Sequence, residues 1–331
     1  MSPFDWLNQW FRLQEQPYLA LGVGVALLLV ASELVVLILG RLEDKNFGVV
    51  HLGTLFTPLC TGFPNLMLGM FGQTRLQGDL VIHLNIGNNL ANTTLVTGTI
   101  MALAGPLLVT VAKGSSKKAR RARADFHLAL LSFWLGAVLL FECVRDGVVT
   151  REDGLKLVGL YFGYQLLMWM RRGTPPKKKR LPLSVGLSLL LLLVLCALLI
   201  SFSVDAISLG MESMGALIPG ASLGMVLGLL TVLPESFLLL RLARKQGSLG
   251  LTGLVGDCLV SIPLVVGVSS LIAPITTAPI HHWRDAAARP FLSLAGTMFC
   301  FTLLSFRQKQ VPRKVGLLFC GLYAMVWWLS S

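Results

Sequence analysis

Apolar residues along this chain gather into long runs separated by short polar connections. Crossing a bilayer as a helix takes roughly 20 apolar residues. Ten runs qualify, over residues 18–40, 48–72, 79–104, 126–144, 154–171, 182–204, 216–243, 249–273, 287–306 and 314–330. The pattern predicts an all-α integral membrane protein of ten transmembrane helices, with no stretch left over for a soluble domain.

The third run breaks the pattern. Residues 85–94 read NIGNNLANTT, with Asn85, Asn88, Asn89 and Asn92 inside an apolar stretch. A helix turns about 100° per residue, so positions i, i+3, i+4 and i+7 share one stripe. Amides facing lipid are costly, so the stripe is expected to face the bundle interior. It can serve there as ligand or as interhelical hydrogen-bonding glue.

A second segment matches this region. The chain from Cys60 reads CTGFPNLMLGMFGQTRLQGDLVIHLNIGNNLANTTLVTG, and from Leu230 it reads LTVLPESFLLLRLARKQGSLGLTGLVGDCLVSIPLVVG. Thr61-Gly-Phe-Pro-Asn65 aligns with Thr231-Val-Leu-Pro-Glu235, and Gly87-Asn88-Asn89 with Gly256-Asp257-Cys258. The copies fall on spans 2–3 and 7–8. An odd offset of five spans makes them cross in opposite senses, an inverted repeat of the kind that places a transporter's site near the midplane.

Pro64 and Pro234 are predicted helix breaks, because each lacks an N–H and clashes with a preceding carbonyl. Carbonyls freed near Thr61 and Thr231 need partners in the hydrocarbon layer. A hard cation is one such partner, and neighbouring threonine hydroxyls are another. Glu235 and Asp257 are the key charges, since an ionisable group within a span is a functional candidate. Two carboxylates at depth repel unless a cation bridges them or one holds a proton, which is the minimal chemistry of an antiporter. Asp257 and Ser261, at i and i+4, form the stripe that opposes the asparagines. Glu33 and Glu142 are expected mid-span, lining a vestibule or pairing locally, and Asp205 and Glu212 near an interface. His51 and His83 are read as structural, and His281-His282 lacks further metal-ligand company.

Composition agrees with lipid as the solvent. The chain has 331 residues, 54% hydrophobic and 13% charged, with formal net charge +12. In a soluble protein that charge would suggest nucleic acid. Here the basic residues sit between apolar runs, and no nucleic-acid partner is expected. The loops after spans 1, 3, 5, 7 and 9 hold 21 of the 28 lysines and arginines, which places both termini outside the cytoplasm. Cys60, Cys143, Cys196, Cys258, Cys300 and Cys320 lie in apolar runs without a CxxC pair, so they are read as small core residues. No nucleophile–base pair or metalloprotease motif points to an enzyme.

These residues resemble the cation/calcium exchanger superfamily, which includes the sodium/calcium exchangers. CTGFPN and LTVLPE stand where that family has G-T-S-L-P-E, and GNNLAN and GDCLVS where it has G-S-N-(I/L)-F-(N/D). RDGVVTREDG is similar to the family's connection between spans 4 and 5. The resemblance implies ten helices as two inverted five-helix repeats. Residues 1–124 would hold spans 1–3 with the first α-repeat, 125–181 spans 4–5 and a basic linker, and 182–331 spans 6–10 with the second α-repeat. It also implies cation binding by Asn65, Asn88 and Asn92 with Glu235, Asp257 and Ser261, and by backbone near Thr61 and Thr231. Glu235, Asp257, Asn65 and Asn92 would be the principal metal ligands. Two departures stand out: Asn65 replaces the first repeat's glutamate, and Asp257 appears where a small hydroxyl is usual.

The expected function is secondary antiport of a hard cation, calcium, in exchange for sodium or protons, with no cofactor. Alternatives are exchange of magnesium, manganese or sodium for protons, and a non-transporting scaffold or sensor that kept the fold. Partners are inorganic cations and the lipid bilayer, and the oligomeric state is left open. Short loops and the lack of a regulatory domain suggest a bacterial cytoplasmic membrane.

Overall fold

The computed structural model describes residues 16–43, 62–63, 65–67, 69–70, 78–104, 117–171, 183–214, 224–232, 236, 239–240, 247–306 and 311–330. Nearly all of these residues are helical. Span 1 is α1 (Pro17–Glu43). Span 3 is α2 (Gly78–Ala91), a π-helical segment (Asn92–Val96) and α3 (Thr97–Ala104) in unbroken succession. Spans 4, 5 and 6 are α4 (Lys117–Val144), α5 (Arg151–Met170) and α6 (Leu183–Met214). Span 8 is α7 (Gly247–Leu259), a second π segment (Val260–Val266) and α8 (Gly267–Ile272). Spans 9 and 10 are α9 (Arg289–Phe306) and α10 (Arg313–Ser330). Spans 2 and 7 are represented by helical residues within 63–70 and 224–240.

Among the described residues three helices are long and apolar enough to cross a membrane: Arg123–Val144, Gly253–Ile272 and Ala286–Phe306. On α4, Leu131, Leu135 and Val138 form an exposed apolar stripe while Phe126, Phe133 and Leu140 are buried. A helix apolar on both faces needs a hydrocarbon environment on its outer side.

The packing obeys the inverted repeat. α3 lies against α10, and α8 against α5; α2 packs on α9, and α7 on α4; α4 meets α5, and α9 meets α10. Each pair maps onto the next when five spans are added or subtracted. α1 and α6, the first helices of the two halves, pack on each other. Two of the matched crossings are made through glycine. A Cβ at Gly98 would lie 2.6 Å from Gly316 O, and a Cβ at Gly267 would lie 3.1 Å from Gly154 O.

Three expectations are refined. The sixth run was expected to end at residue 204, but α6 continues to Met214. Near the end of the apolar run the Ser203 hydroxyl donates to Gly24 O of α1 at 2.6 Å, joining the helix pair. Asp205 and Glu212 accordingly fall within the helix. Glu142 is exposed and 3.6 Å from Arg145 at the end of α4, which settles it as a local pair. The regular third and eighth helices give way to π segments. In the second of these Pro263 removes an N–H from the ladder, and a helix missing that donor widens locally.

At one end the halves are joined by a short ribbon. β1 (Val148–Val149), between α4 and α5, pairs antiparallel with β2 (Ile275–Thr276), after α8. Thr277 N–H donates to Gly147 O at 2.8 Å, and Ile280 N–H to Arg145 O at 3.0 Å. Gly147 holds a φ of 85°, a left-handed conformation open to glycine. α5 then starts with a capping box: Asp153 N–H donates to Thr150 Oγ1 at 3.2 Å, and Thr150 N–H to Asp153 Oδ2 at 3.1 Å.

Candidate functional site

The asparagine stripe lies in the bundle interior, where Asn85, Asn88, Asn89 and Asn92 are all 0% exposed. Its approach to the seventh span is backbone on backbone. A Cβ at Gly87 would lie 2.8 Å from Met225 Cα, and one at Gly228 would lie 2.5 Å from Asn88 N. The absence of side chains there lets residues 224–232 come close enough for Thr231 to meet Asn88.

Four polar side chains then join the two repeats. Thr231 Oγ1 donates to Gly228 O at 2.9 Å and accepts from Asn88 Nδ2 at 3.3 Å. Asn88 Oδ1 accepts from Asn92 Nδ2 at 3.2 Å, and the same amide donates to Asp257 Oδ2 at 2.9 Å. Asp257 is 1% exposed and is the buried carboxylate among the described residues. The two N–H groups of Asn92 therefore point at two acceptors, one from each repeat. Asn88 and Asp257 hold matching positions in the two copies.

The rest of the stripe does something different. Asn89 Nδ2 donates to Ser261 Oγ at 2.7 Å and to Asn85 O at 2.6 Å. Asn85 Nδ2 donates to Val81 O at 2.7 Å. Ser261 Oγ is thus bonded to Asn89 rather than to Asn88 or Asn92, an interhelical hydrogen bond beside the link from Asn92 to Asp257. Thr93 Oγ1 donates to Asn89 O at 2.7 Å and reaches Thr297 Oγ1 of α9 at 3.2 Å. Thr93 and Thr297 escaped the sequence reading of the site. Their signal was available in the polar residues beside the stripe and in the threonine inside the ninth apolar run.

Asn65 is fully buried, and neither amide atom has a hydrogen-bond partner among the described residues. Thr61, Pro64, Pro234, Glu235 and His51 lie outside the described residues. Glu33 is exposed on α1. His83 is buried with its Cβ 2.6 Å from the place a Cβ at Gly224 would take, which makes it a packing residue. His281 and His282 use their backbone N–H groups on Asp285 Oδ2, both at 2.8 Å. No disulfide joins the described cysteines. No group of three His, Cys, Asp or Glu gathers among the described residues. The site is built from amide, hydroxyl and carboxylate oxygens, the donor set of hard cations.

Inverted halves meeting at a buried oxygen-rich centre define a membrane transporter. The comparisons specify it further. The family model for sodium/calcium exchanger proteins matches residues 17–170 and 188–331, and the chain belongs to that family, which consists of exchangers, not enzymes. Solved structures of the sodium-calcium exchanger NCX_Mj share the fold. The form soaked with 10 mM Na+ and zero Ca2+ is 20% identical with a TM-score of 0.62, over 93% of this chain and 97% of that one. The form soaked with 2.5 mM Na+ and 10 mM Sr2+ is 19% identical with a TM-score of 0.64, over 94% and 98%. A comparison with curated proteins found no match.

Proposed function

We propose that this chain is a secondary antiporter that moves a hard cation, calcium, against sodium or protons by alternating access. The observation that carries the reading is the bond from Asn92 to Asp257, which spans the two inverted repeats with both side chains out of contact with solvent. Asp257, Asn88, Asn92 and Thr231 supply side-chain oxygens toward the roughly six to eight that calcium takes. Asn65, Ser261 and Glu235, with backbone near Thr61, complete the proposed set, and Pro64 and Pro234 break their helices to expose carbonyls.

The amide of Asn92 gives the exchange a switch. A carboxamide presents N–H on one side and oxygen on the other. Turned as observed, Asn92 donates to Asp257 and satisfies the carboxylate without an ion. Turned over, it offers an oxygen to a cation held by that carboxylate. Cation and counter-ion then compete for one anionic group.

The reading includes ten spans in two inverted halves, an N-terminal part of spans 1–3, a connecting part of spans 4–5 and a second half of spans 6–10. It places the protein in a bacterial cytoplasmic membrane with both termini outside the cytoplasm, as the basic loops favour. The test is calcium-45 uptake into inside-out vesicles under an imposed sodium or pH gradient. Gradient-dependent uptake is expected, lost in Asp257→Asn and in Glu235→Gln. Full activity in both variants refutes the site. A panel of magnesium, manganese and sodium as competitors fixes the cation. The neutral Asn65 favours a non-transporting scaffold as second reading, and that reading requires no flux with any of these ions.

A further inference from the structure

Both carboxylates proposed for the polar centre come from the second repeat. At the two matched pairs of positions, Asn65 stands against Glu235 and Asn88 against Asp257. The first repeat thus answers each acid with an amide. Asn65 and Asn88 are fully buried, as is Asp257.

Packing puts Asn65 at the level of the centre. A Cβ at Gly69 would lie 3.7 Å from Val81 Cγ1, 2.8 Å from Val265 Cγ1 and 2.7 Å from Ser269 Oγ. Asn89 bonds Ser261 while Asn92 bonds Asp257, so the third and eighth spans run antiparallel. Residues 69 and 81 flank a short connection, so the second span is antiparallel to α2 as well. One helical turn before Gly69, position 65 therefore comes level with Asn85 on one side and Ser261 on the other. Asn65 brings a donor and an acceptor to that level, and no charge.

The other acids of the spans are placed elsewhere. Glu33 is exposed, and Glu142 pairs with Arg145 at the end of α4. Asp205 and Glu212 belong to α6, which packs on α1. No lysine or arginine is buried among the described residues. The charge of the centre is therefore that of Glu235 and Asp257.

Charge balance then limits what can cross. A centre closed to both solutions lies in a weakly polarisable medium, where Coulomb interactions are strong and uncompensated charge is costly. One divalent cation balances two carboxylates, and two monovalent cations balance them equally. A third monovalent cation leaves the closed centre with a positive charge that no described group offsets.

We infer that the amide at position 65 sets the exchange ratio of this chain at two monovalent cations per divalent cation, so that no net charge crosses the membrane. This ratio presupposes the exchange reading above and adds the coupling to it. A carboxylate at position 65 accommodates one more monovalent charge and makes the exchange electrogenic.

The test uses the purified full-length protein in proteoliposomes. Calcium-45 accumulates against an imposed gradient of sodium or protons, whichever drives uptake, while a potassium gradient with valinomycin sets the membrane potential independently. At two for one, a tenfold monovalent gradient sustains a calcium ratio of about 100, and the plateau is the same at every potential. One net charge per cycle instead shifts the plateau by the imposed potassium ratio, about tenfold for a tenfold gradient. Asn65→Glu is expected to acquire that shift. Should it not fold, Asn65→Asp carries the same charge on a shorter arm and is read in the same way. The wild-type plateau decides the ratio whether or not either variant transports. A wild-type plateau that follows the potassium gradient overturns the ratio and leaves exchange intact. So does an Asn65→Glu or Asn65→Asp protein that accumulates calcium without responding to potential. Absence of any gradient-driven uptake refutes the exchange reading itself, and the ratio with it.

Discussion

Substituting alanine for Gly228 places a methyl against atoms that cannot yield. A Cβ there would lie 2.5 Å from Asn88 N and 2.9 Å from Gly87 C, and would also press on Leu84 O. All three are backbone atoms, so relief requires the helix of residues 224–232 to move away from α2. Overpacking of this kind costs about 1–3 kcal/mol, and with no flexible side chain in the contact the upper part of that range applies. The motion also lengthens the 3.3 Å bond from Asn88 to Thr231, which is already near the limit for a hydrogen bond. The control is the same substitution at Gly159 in α5, where a Cβ meets nothing within 4 Å. There the helix gains the roughly 0.5–1 kcal/mol by which alanine exceeds glycine. Thermal unfolding in detergent should show Gly228→Ala destabilised and Gly159→Ala unchanged or stabilised. Vesicle flux should fall only in the first. Equal effects at the two positions would refute the close backbone approach as the basis of the site.

Other outcomes follow from local geometry. Thr150→Ala removes the capping box of α5 and should cost about 1 kcal/mol, read as a lower unfolding midpoint with flux retained. Removing the Asn92 carboxamide by Asn92→Ala takes one donor from the buried Asp257 carboxyl, at a cost of about 1–3 kcal/mol; Asn92→Ala should lose both stability and flux, and a variant with wild-type flux contradicts the switch. The backbone N–H of His282, aided by that of His281, holds the Asp285 carboxyl below its ordinary value. A depressed carboxyl contributes stability that is complete above the ordinary aspartate range of about pH 4 and lost as pH falls through the folded value. Amide exchange at His281 and His282, corrected for intrinsic rate, should therefore accelerate below that range and also in Asp285→Asn at neutral pH.

Much of this arrangement was legible in the sequence because it rests on repetition. Nearly equal spacing, 23 positions from Pro64 to Gly87 and 22 from Pro234 to Gly256, in two segments an odd number of spans apart implied the inverted pairing that α3 with α10 and α8 with α5 display. The stripe of asparagines faced inward as helical periodicity required. What escaped was the division of labour within the stripe. Asn88 and Asn89 are adjacent in sequence, yet one serves Thr231 and the other Ser261, and only the position of the second repeat decides between them. The π segments were hidden for a related reason. Pro263 was visible, but a proline signals a missing donor without specifying whether the helix kinks, breaks or widens. The length of α6 was hidden because its apolar run stops at residue 204 while the helix continues to Met214.

The ribbon of β1 with β2 is written in main-chain atoms. Its bonds run between amides and carbonyls that every residue except proline carries in full, so amino-acid replacement at Val148 or Thr276 leaves the fastening in place. The seam between the two halves is therefore robust where it meets water and fastidious where it crosses the polar centre. Drift over generations can rewrite Val148 and Thr276, while a single methyl group at Gly228 is enough to disturb the interior.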